Sequence, residues 1–362
     1  MGVVVIASTP YSLNRYIFHS TYRRLSSYMK FVNPDAEVIC TYKQEPLEFI
    51  EKVARTCYKS QSSGKSSEQF IGSLIKSKHY AMLEHYHIPV KFSLGQYSKL
   101  MYNIEILSRI SGKDLMKYLN KCSMEFRRSC YYLTGSLRAF LELVENCNSS
   151  GFDTISSLQS ALHEQFPSVF PESNDDHAGV NVVSWDKFLE DVNEVCYVPD
   201  RREAILMNSL PISVKFTCDR GVSHELVRHR DASFAQESTR YCNYSTSKFD
   251  NEVTFIYPAA ETAESEIIIN LYNQAENAYM SLIQSGESPQ VARAVLPNGV
   301  RTEIWVTATE SEWSHILDLR LVGTTGAPHP DMKTVMKLAY PELVRLSEKR
   351  LFKEEYSNES SC

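Results

Sequence analysis

Two short strands of nearly the same composition, "PVKFS" at residues 89–93 and "SVKFT" at 213–217, restrict the fold more than any other feature. Each sits in a run with period-two alternation. Ile88, Val90, Phe92 and Leu94 share one face of the first, and Ile212, Val214, Phe216 and Cys218 share one face of the second. Such a pair reads as the two stems of an insertion at about 95–208, lying side by side in one sheet. The residues between them, including "KDLMKYLNKCSMEFRRSCYYLTGSLRAFLELV" and "SWDKFLEDV", read as mostly helical, with Ser184 as an N-cap and a polar loop at "PESNDDHAG". No period of roughly 20 to 50 residues recurs, which excludes a solenoid.

Outside the insertion, strands alternate with helices. "AEVICTY" is a short strand, and "PLEFIEKVARTCYKS" follows with Leu47, Ile50, Val53, Ala54 and Cys57 at helical spacing. "SSEQFIGSLIKSKHYAMLEH" turns Phe70, Leu74 and Ile75 inward, and "GVSHELVRHR" is a short helix after the second stem. In "ESEIIINLYNQAENAYMSLIQSG", Ile268, Leu271, Tyr272, Ala275, Tyr279 and Leu282 share a face, and Gly286 ends the helix. "SPQVARAVLP" starts another, with Ser288 as N-cap and Pro289 in the first turn. "TEIWVTAT" is extended, "ESEWSHILDLRLV" is a helix presenting His315 and Leu319 beside Arg320, and "DMKTVMKLAYPELVRLSEKRLF" is the last helix. The pattern implies an α/β chain with a tail at 1–34, a domain at 35–350 interrupted by the insertion, and a C-terminal tail at 351–362.

Composition removes several classes of function. With 362 residues, 43% of them hydrophobic, and a formal charge of only −6, the chain is globular rather than disordered. No run approaches the roughly 18 to 20 apolar residues of a membrane span. Nine cysteines stand singly with no CxxC pair, which argues against zinc and a disulfide framework and for a reducing, cytoplasmic setting. Overall acidity argues against indiscriminate nucleic-acid binding. The first 34 residues carry Arg15, Arg23, Arg24 and Lys30 and no acid before Asp35. Two readings stand for them: an organellar targeting segment, or residues upstream of a start at Met29.

Against this acidic background "RHRDASFAQESTRY", residues 228–241, is a local concentration of positive charge. A solvated basic turn is the plain reading of any RHR triplet. Here small and hydroxyl residues (Ala232, Ser233, Ala235, Ser238, Thr239) follow the arginines, allowing the backbone approach and hydroxyl donors that phosphates use. Arg240 follows, and Arg293 in "VARAVLP" and Arg320 in "ILDLRLV" sit in apolar helical contexts. Guanidinium suits bidentate recognition of phosphate or carbonyl groups, so an anionic, phosphate-rich ligand is the physical reading.

The pattern RHR, seven residues, then serine resembles the signature of the flavin-dependent thymidylate synthases. "AEVICTY…ARTCY", "HYAMLEH", "ARAVLP" and "EWSHILDLR" resemble that family's other segments, in order, over about 36–94 and 210–350. The resemblance implies a mixed or antiparallel central sheet packed with helices, and a homotetramer with active sites at subunit interfaces. It implies FAD as cofactor, with dUMP methylated to dTMP, methylenetetrahydrofolate as carbon donor and NADPH as reductant. Carried over by position, Arg228, His229, Arg230, Gln236 and His315 line the FAD site. Thr309, Glu310 and Ser311 fall at further flavin contacts. Ala81 and Met82 stand where many relatives have serine-proline, so a hydroxyl to the cofactor phosphate is missing or replaced. Glu225, Arg228, Gln236, Glu237, Ser238, Arg240 and Arg293 would hold the nucleotide, and Arg320 would polarise the uracil ring. A related C5-alkylation, UMP as substrate, or a non-catalytic flavin- or nucleotide-binding homologue are the alternatives.

Rival chemistries find less support in the residues. The unrelated thymidylate synthases use a cysteine in a Pro-Cys-His segment, which this chain lacks, and Cys242 reads as a packing residue. Ser238 has no neighbouring histidine or lysine spaced to activate it. His79, Glu84, His85 and His87 lack the HExxH spacing, and no metal is expected. For the insertion, a lid or an interface is the expected role.

Overall fold

The computed structural model describes residues 30–60, 64–111, 122–125, 130–147, 153–173, 176–259 and 265–361. Most of the stretch read as an N-terminal tail therefore lies outside the described residues, as do parts of the insertion. In chain order the elements are β1 (Lys30–Val32), β2 (Asp35–Cys40), α1 (Pro46–Tyr58), α2 (Ser67–Lys76), β3 (His87–Ser93), α3 (Leu94–Ser111), β4 (Cys122–Glu125) and β5 (Cys130–Ser136). Then follow α4 (Leu137–Cys147), α5 (Asp153–Gln165), β6 (Val180–Val182), α6 (Trp185–Val195), α7 (Pro199–Ser209), β7 (Pro211–Asp219), α8 (Arg220–Leu226), β8 (Ser233–Gln236) and β9 (Thr254–Ile256). The chain closes with α9 (Glu266–Gln284), α10 (Pro289–Ala292), β10 (Arg301–Thr309), α11 (Glu310–Leu317), α12 (Pro330–Leu346) and α13 (Glu354–Ser361). No helix among the described residues is long and apolar enough to cross a membrane.

Local sequence chemistry accounts for the helix starts. Pro46 opens α1 with its fixed φ, and Ser66 and Gln69 form a reciprocal capping box on α2. Ser184 caps α6 by accepting from the Lys187 amide at 3.2 Å, as its sequence implies.

The chain forms two units. The larger comprises Asp35–Cys218, Val222–Ser238 and Thr302–Cys362. It holds two four-stranded sheets, ordered β2-β7-β10-β8 and β4-β5-β3-β6, so the mixed helix-and-sheet class holds. The pairs β2·β7, β8·β10, β3·β5, β3·β6 and β4·β5 are antiparallel.

The two similar strands do not pair, which corrects the stem reading. β7 has β2 and β10 on its edges, whereas β3 lies between β5 and β6, both supplied by the insertion. A strand has only two hydrogen-bonding edges, and the insertion occupies both edges of β3. The residues of β3 from His87 to Val90 are buried without alternation, as expected of a central strand covered on both faces. A second correction concerns "CYYLTGS". It reads as part of a helical stretch, yet it forms β5, where its aromatic and β-branched residues suit a pleated surface.

The insertion also shares a core with its surroundings. Leu100, Ile104, Leu133, Phe140, Leu158, Phe170 and Val180 belong to the same buried cluster as Phe49, Ile50, Val53, Ala235 and Trp305. A second cluster packs β7 and β10 against α11 and α12 through Val214, Phe216, Trp313, Met336 and Leu343. A chain of buried hydrogen bonds crosses the first sheet. His85 Nδ1 meets Thr307 Oγ1 at 2.7 Å, Thr307 meets Ser213 Oγ at 2.6 Å, and Ser213 meets Thr41 Oγ1 at 2.7 Å. Burial lowers the His85 pKa to about 3 and the His87 pKa to about 4. The closing residues, expected as a tail, are packed: Leu351 and Tyr356 are buried and α13 ends the fold.

The smaller unit comprises, among the described residues, those from Lys30 to Pro34, Asp219–Gly221 and the described part of Thr239–Arg301. β1 and β9 pair in parallel, and Cys242, Tyr244, Val253, Phe255, Tyr279, Ala292 and Val300 form the core. Along α9, Ala275 and Tyr279 are buried as their spacing implies, but Leu271 is exposed. Gly286, at φ 95°, closes the helix in the left-handed region.

Candidate functional site

Two segments of the larger unit converge on one pocket. The first leaves α8 and turns tightly, with the His229 amide on the Leu226 carbonyl (3.1 Å) and the Ala232 amide on the His229 carbonyl (3.3 Å), before entering β8. The second is α11, continued by a π-helical turn at Asp318–Val322. Single π turns are frequent at functional sites because the extra residue re-aims the side chains of a helix. Gly323, at φ 84°, ends this turn in the left-handed region. A Cβ there would lie 2.7 Å from both the Gly326 carbonyl oxygen and Pro328.

The pocket has a volume of about 340 Å³. Arg228, His229, Arg230 and Asp231 line it from the turn, and Glu312, His315, Leu319 and Arg320 from α11 and the π turn. Arg228, Arg230 and His315 are exposed, whereas His229 is buried. Among the described residues no ion pair engages Arg228 or Arg230, whereas Arg320 is braced. Its Nη1 donates to Glu225 Oε2 at 2.8 Å, its Nη2 to the Glu225 carbonyl at 3.1 Å, and its Nε to His229 Nε2 at 3.1 Å.

That last contact fixes the state of His229. Guanidinium is a donor only, so Nε2 is the bare nitrogen and Nδ1 carries the proton, facing Glu312 Oε1 at 3.6 Å. His315 stands edge-on to the same ring, with centroids 5.7 Å apart. His229, Glu312 and His315 bring metal-ligand atoms within 4.8 Å of one another. Binding a cation would require stripping Nδ1 of its proton while Nε2 stays on Arg320, beside three guanidiniums that repel positive charge. The set suits an anion.

Other residues singled out by sequence are placed elsewhere in the larger unit. Gln236 Nε2 donates to Ser223 Oγ (2.8 Å) and Thr302 Oγ1 (3.2 Å). Glu237 is buried, with Lys59 Nζ at 3.6 Å, and the Ser238 amide donates to the Cys57 carbonyl at 2.9 Å. Ala81 is exposed in the 3₁₀ turn Tyr80–His85. Thr309 caps α11 and touches Ser311 Oγ at 3.2 Å. Glu310 is fully buried and takes two bonds from Arg350, at 2.7 and 2.8 Å. Burial raises its pKa while Arg350 opposes the rise.

In the smaller unit Arg240 Nε donates to Gln290 Oε1 at 3.0 Å, and Arg293 Nη1 to Thr239 Oγ1 at 3.3 Å, which brings Arg240 and Arg293 together. Both are exposed, and Cys242 is buried in that unit's core. Sequence reading passed over Glu312, Asp231 and the role of Leu319 as lining. Glu312 carried a usable signal. It lies three residues before His315 and seven before Leu319, on one helical face.

Residues 201–346 match the family model described as thymidylate synthase complementing protein. The flavin-dependent thymidylate synthase of Saccharolobus solfataricus is 38% identical over 102 residues, 28% of this chain and 38% of the relative. That of Mycobacterium avium is 30% identical over 141 residues, 36% of this chain and 54% of the relative. The chain thus spans less than two thirds of the length of these curated relatives. Among solved structures, Thymidylate Synthase X from Helicobacter pylori with FAD and dUMP aligns at 21% identity and a TM-score of 0.35, covering 47% of this chain and 83% of that one, a likeness too slight to carry an argument. Residues 201–346, which hold the signature and every pocket-lining side chain, are thus similar to the thymidylate synthase complementing protein model and to relatives named flavin-dependent thymidylate synthases.

Proposed function

We propose that the chain methylates dUMP to dTMP, with methylenetetrahydrofolate as carbon donor and FAD reduced by NADPH, and without an enzymic cysteine nucleophile. The observation that carries this reading is one pocket lined by two guanidiniums, Arg228 and Arg230, that have no ion pair among the described residues, and a third, Arg320, braced by Glu225 and His229. Such a donor set fits a pyrophosphate and a nucleotide, which present several negative charges to be offset by bidentate bonds. At about 340 Å³ the pocket is smaller than a whole dinucleotide, so it takes part of the cofactor. A homotetramer with sites completed by neighbouring subunits is part of the proposal.

In this reading Arg228, Arg230 and His315 hold FAD, which supplies the redox chemistry when bound. Arg320 faces the uracil ring. Uracil C5 is a weak nucleophile until electron density moves onto it, and a guanidinium at the ring carbonyl edge stabilises the anionic form. The role is a fixed charge rather than a proton shuttle. Bracing matters because a donor already aimed needs no reorganisation when the charge develops. Arg240 and Arg293, with Glu237 and Ser238, are assigned to the nucleotide by their positions in the signature and "ARAVLP" segments. Ala81, Gln236, Thr309, Glu310 and Ser311 keep their cofactor assignment from the resemblance alone, since their side chains do not line this pocket.

The test is product identification. Purified protein incubated with FAD, NADPH, methylenetetrahydrofolate and dUMP should yield a nucleotide heavier by one CH2, identified by mass as dTMP. A hydroxymethylated product, or turnover with UMP but not dUMP, would replace this reading with the related C5-alkylation. Flavin binding with unchanged nucleotide would reduce the chain to a binding protein.

A further inference from the structure

The π turn that carries Arg320 is held by residues beyond the matched region. Asp318, its first residue, receives the Tyr356 hydroxyl at 2.5 Å on Oδ1 and the Lys353 ammonium at 2.9 and 3.1 Å on its two carboxylate oxygens. Its carbonyl accepts the Gly323 and Thr324 amides at 3.0 and 3.1 Å, which closes the turn from the other side. Tyr356 is fully buried and meets Tyr340 edge-on at 5.6 Å, so its hydroxyl is delivered by packed rings rather than by a loose chain end. The Tyr340 hydroxyl in turn donates to the Lys353 carbonyl at 3.4 Å. The family-model match covers residues 201–346, so Lys353 and Tyr356 lie outside it.

A π turn sacrifices regular helical bonding and persists only where its surroundings over-determine it. Here the restraint gathers on the Asp318 carboxylate, two residues before Arg320, and the same Tyr356 hydroxyl lies 3.0 Å from the Ser314 carbonyl of the preceding helix. We propose that Tyr356, with Lys353, is a positioning residue: by clamping Asp318 it holds the π turn that aims Arg320 at Glu225, His229 and the nucleotide. This rests on the proposed role of Arg320 toward dUMP.

The experiment uses the full chain and four variants: Tyr356→Phe, which keeps the ring and removes the hydroxyl, Lys353→Met, Arg320→Ala, and Tyr356→Phe combined with Arg320→Ala. Calorimetric titration with dUMP should show Tyr356→Phe binding about tenfold more weakly, the size of one lost charge-assisted hydrogen bond, and Lys353→Met shifted the same way by less. In the Arg320→Ala background Tyr356→Phe should add nothing, because its effect passes through the missing guanidinium. Equal weakening in both backgrounds, or none in either, overturns the proposal. Hydrogen exchange of the ligand-free protein separates the two readings. Tyr356→Phe should speed exchange at Gly323 and Thr324 while leaving β2 and β7 unchanged. If the unaltered protein binds no dUMP, the functional reading falls, and unchanged exchange at Gly323 and Thr324 would remove the clamp as well.

Discussion

At the residue scale the site is a matter of which guanidiniums are already satisfied. Arg320 spends its donors on Glu225 and His229, while Arg228 and Arg230 remain exposed toward the pocket with no ion pair among the described residues. Exposed, unpaired cations are the ones a phosphate ligand engages by charge, and such attraction is screened by salt. Replacing Arg228 or Arg230 by alanine is therefore expected to weaken FAD binding by about tenfold each, the size of one charge-assisted contact. Flavin fluorescence titration at low and high salt measures this, and the loss should shrink as salt rises. An affinity unchanged by both substitutions would remove these arginines from the cofactor site. The density of the RHR segment and the apolar setting of Arg320 made this part of the site legible in sequence. The Glu310–Arg350 pair was not legible for a physical reason: Arg350 is forty residues away in sequence, and no local pattern announces a buried ion pair formed through the fold.

At the scale of elements, the helix starts were legible because caps are local. The Ser184 cap needed nothing beyond neighbouring residues. Strand partners were not legible, since β3 and β7 have nearly the same residues yet are paired by different chain segments. The π turn at Asp318–Val322 was also hidden, because its hydrophobic pattern reads as continued α-helix. Gly323→Ala tests that turn. At φ 84° with the Gly326 carbonyl 2.7 Å from an added Cβ, it should cost about 1–3 kcal/mol, read from denaturant unfolding. The buried histidines give the sheet a pH response. His85 and His87 ionise near 3 and 4 when folded but near 6.5 when unfolded, so the unfolded chain binds more protons as pH falls. Their contribution is intact above about pH 6.5 and declines steadily as pH falls toward 4. Urea midpoints measured from pH 8 to pH 5 should fall over the acid half of that range, and His85→Gln should flatten the slope.

At the scale of the whole molecule, the insertion is woven into the protein rather than hung on it. Its Leu133, Phe140 and Val180 share a buried cluster with Phe49, Ile50 and Trp305, which gives it a structural part beside the expected lid or interface role. Excising residues 97–207 would strip that cluster, and the shortened chain is expected to be insoluble or to unfold without a cooperative transition. A soluble, cooperatively folded remnant would show the insertion to be dispensable. The arginines fall into a group around Arg228, Arg230 and Arg320 in one unit and a pair, Arg240 and Arg293, in the other. The proposed homotetramer would put residues of several subunits at each site, and light scattering should give a mass about four times the 41.4 kDa chain. The measurement that bears most directly on the central claim is tritium release from dUMP labelled at C5, with FAD, NADPH and methylenetetrahydrofolate supplied. The unaltered protein should release tritium only with all three present, and Arg320→Ala should retain bound flavin while release drops by about a hundredfold or more. Undiminished release by Arg320→Ala, or none by a flavin-bearing unaltered protein, would contradict the account.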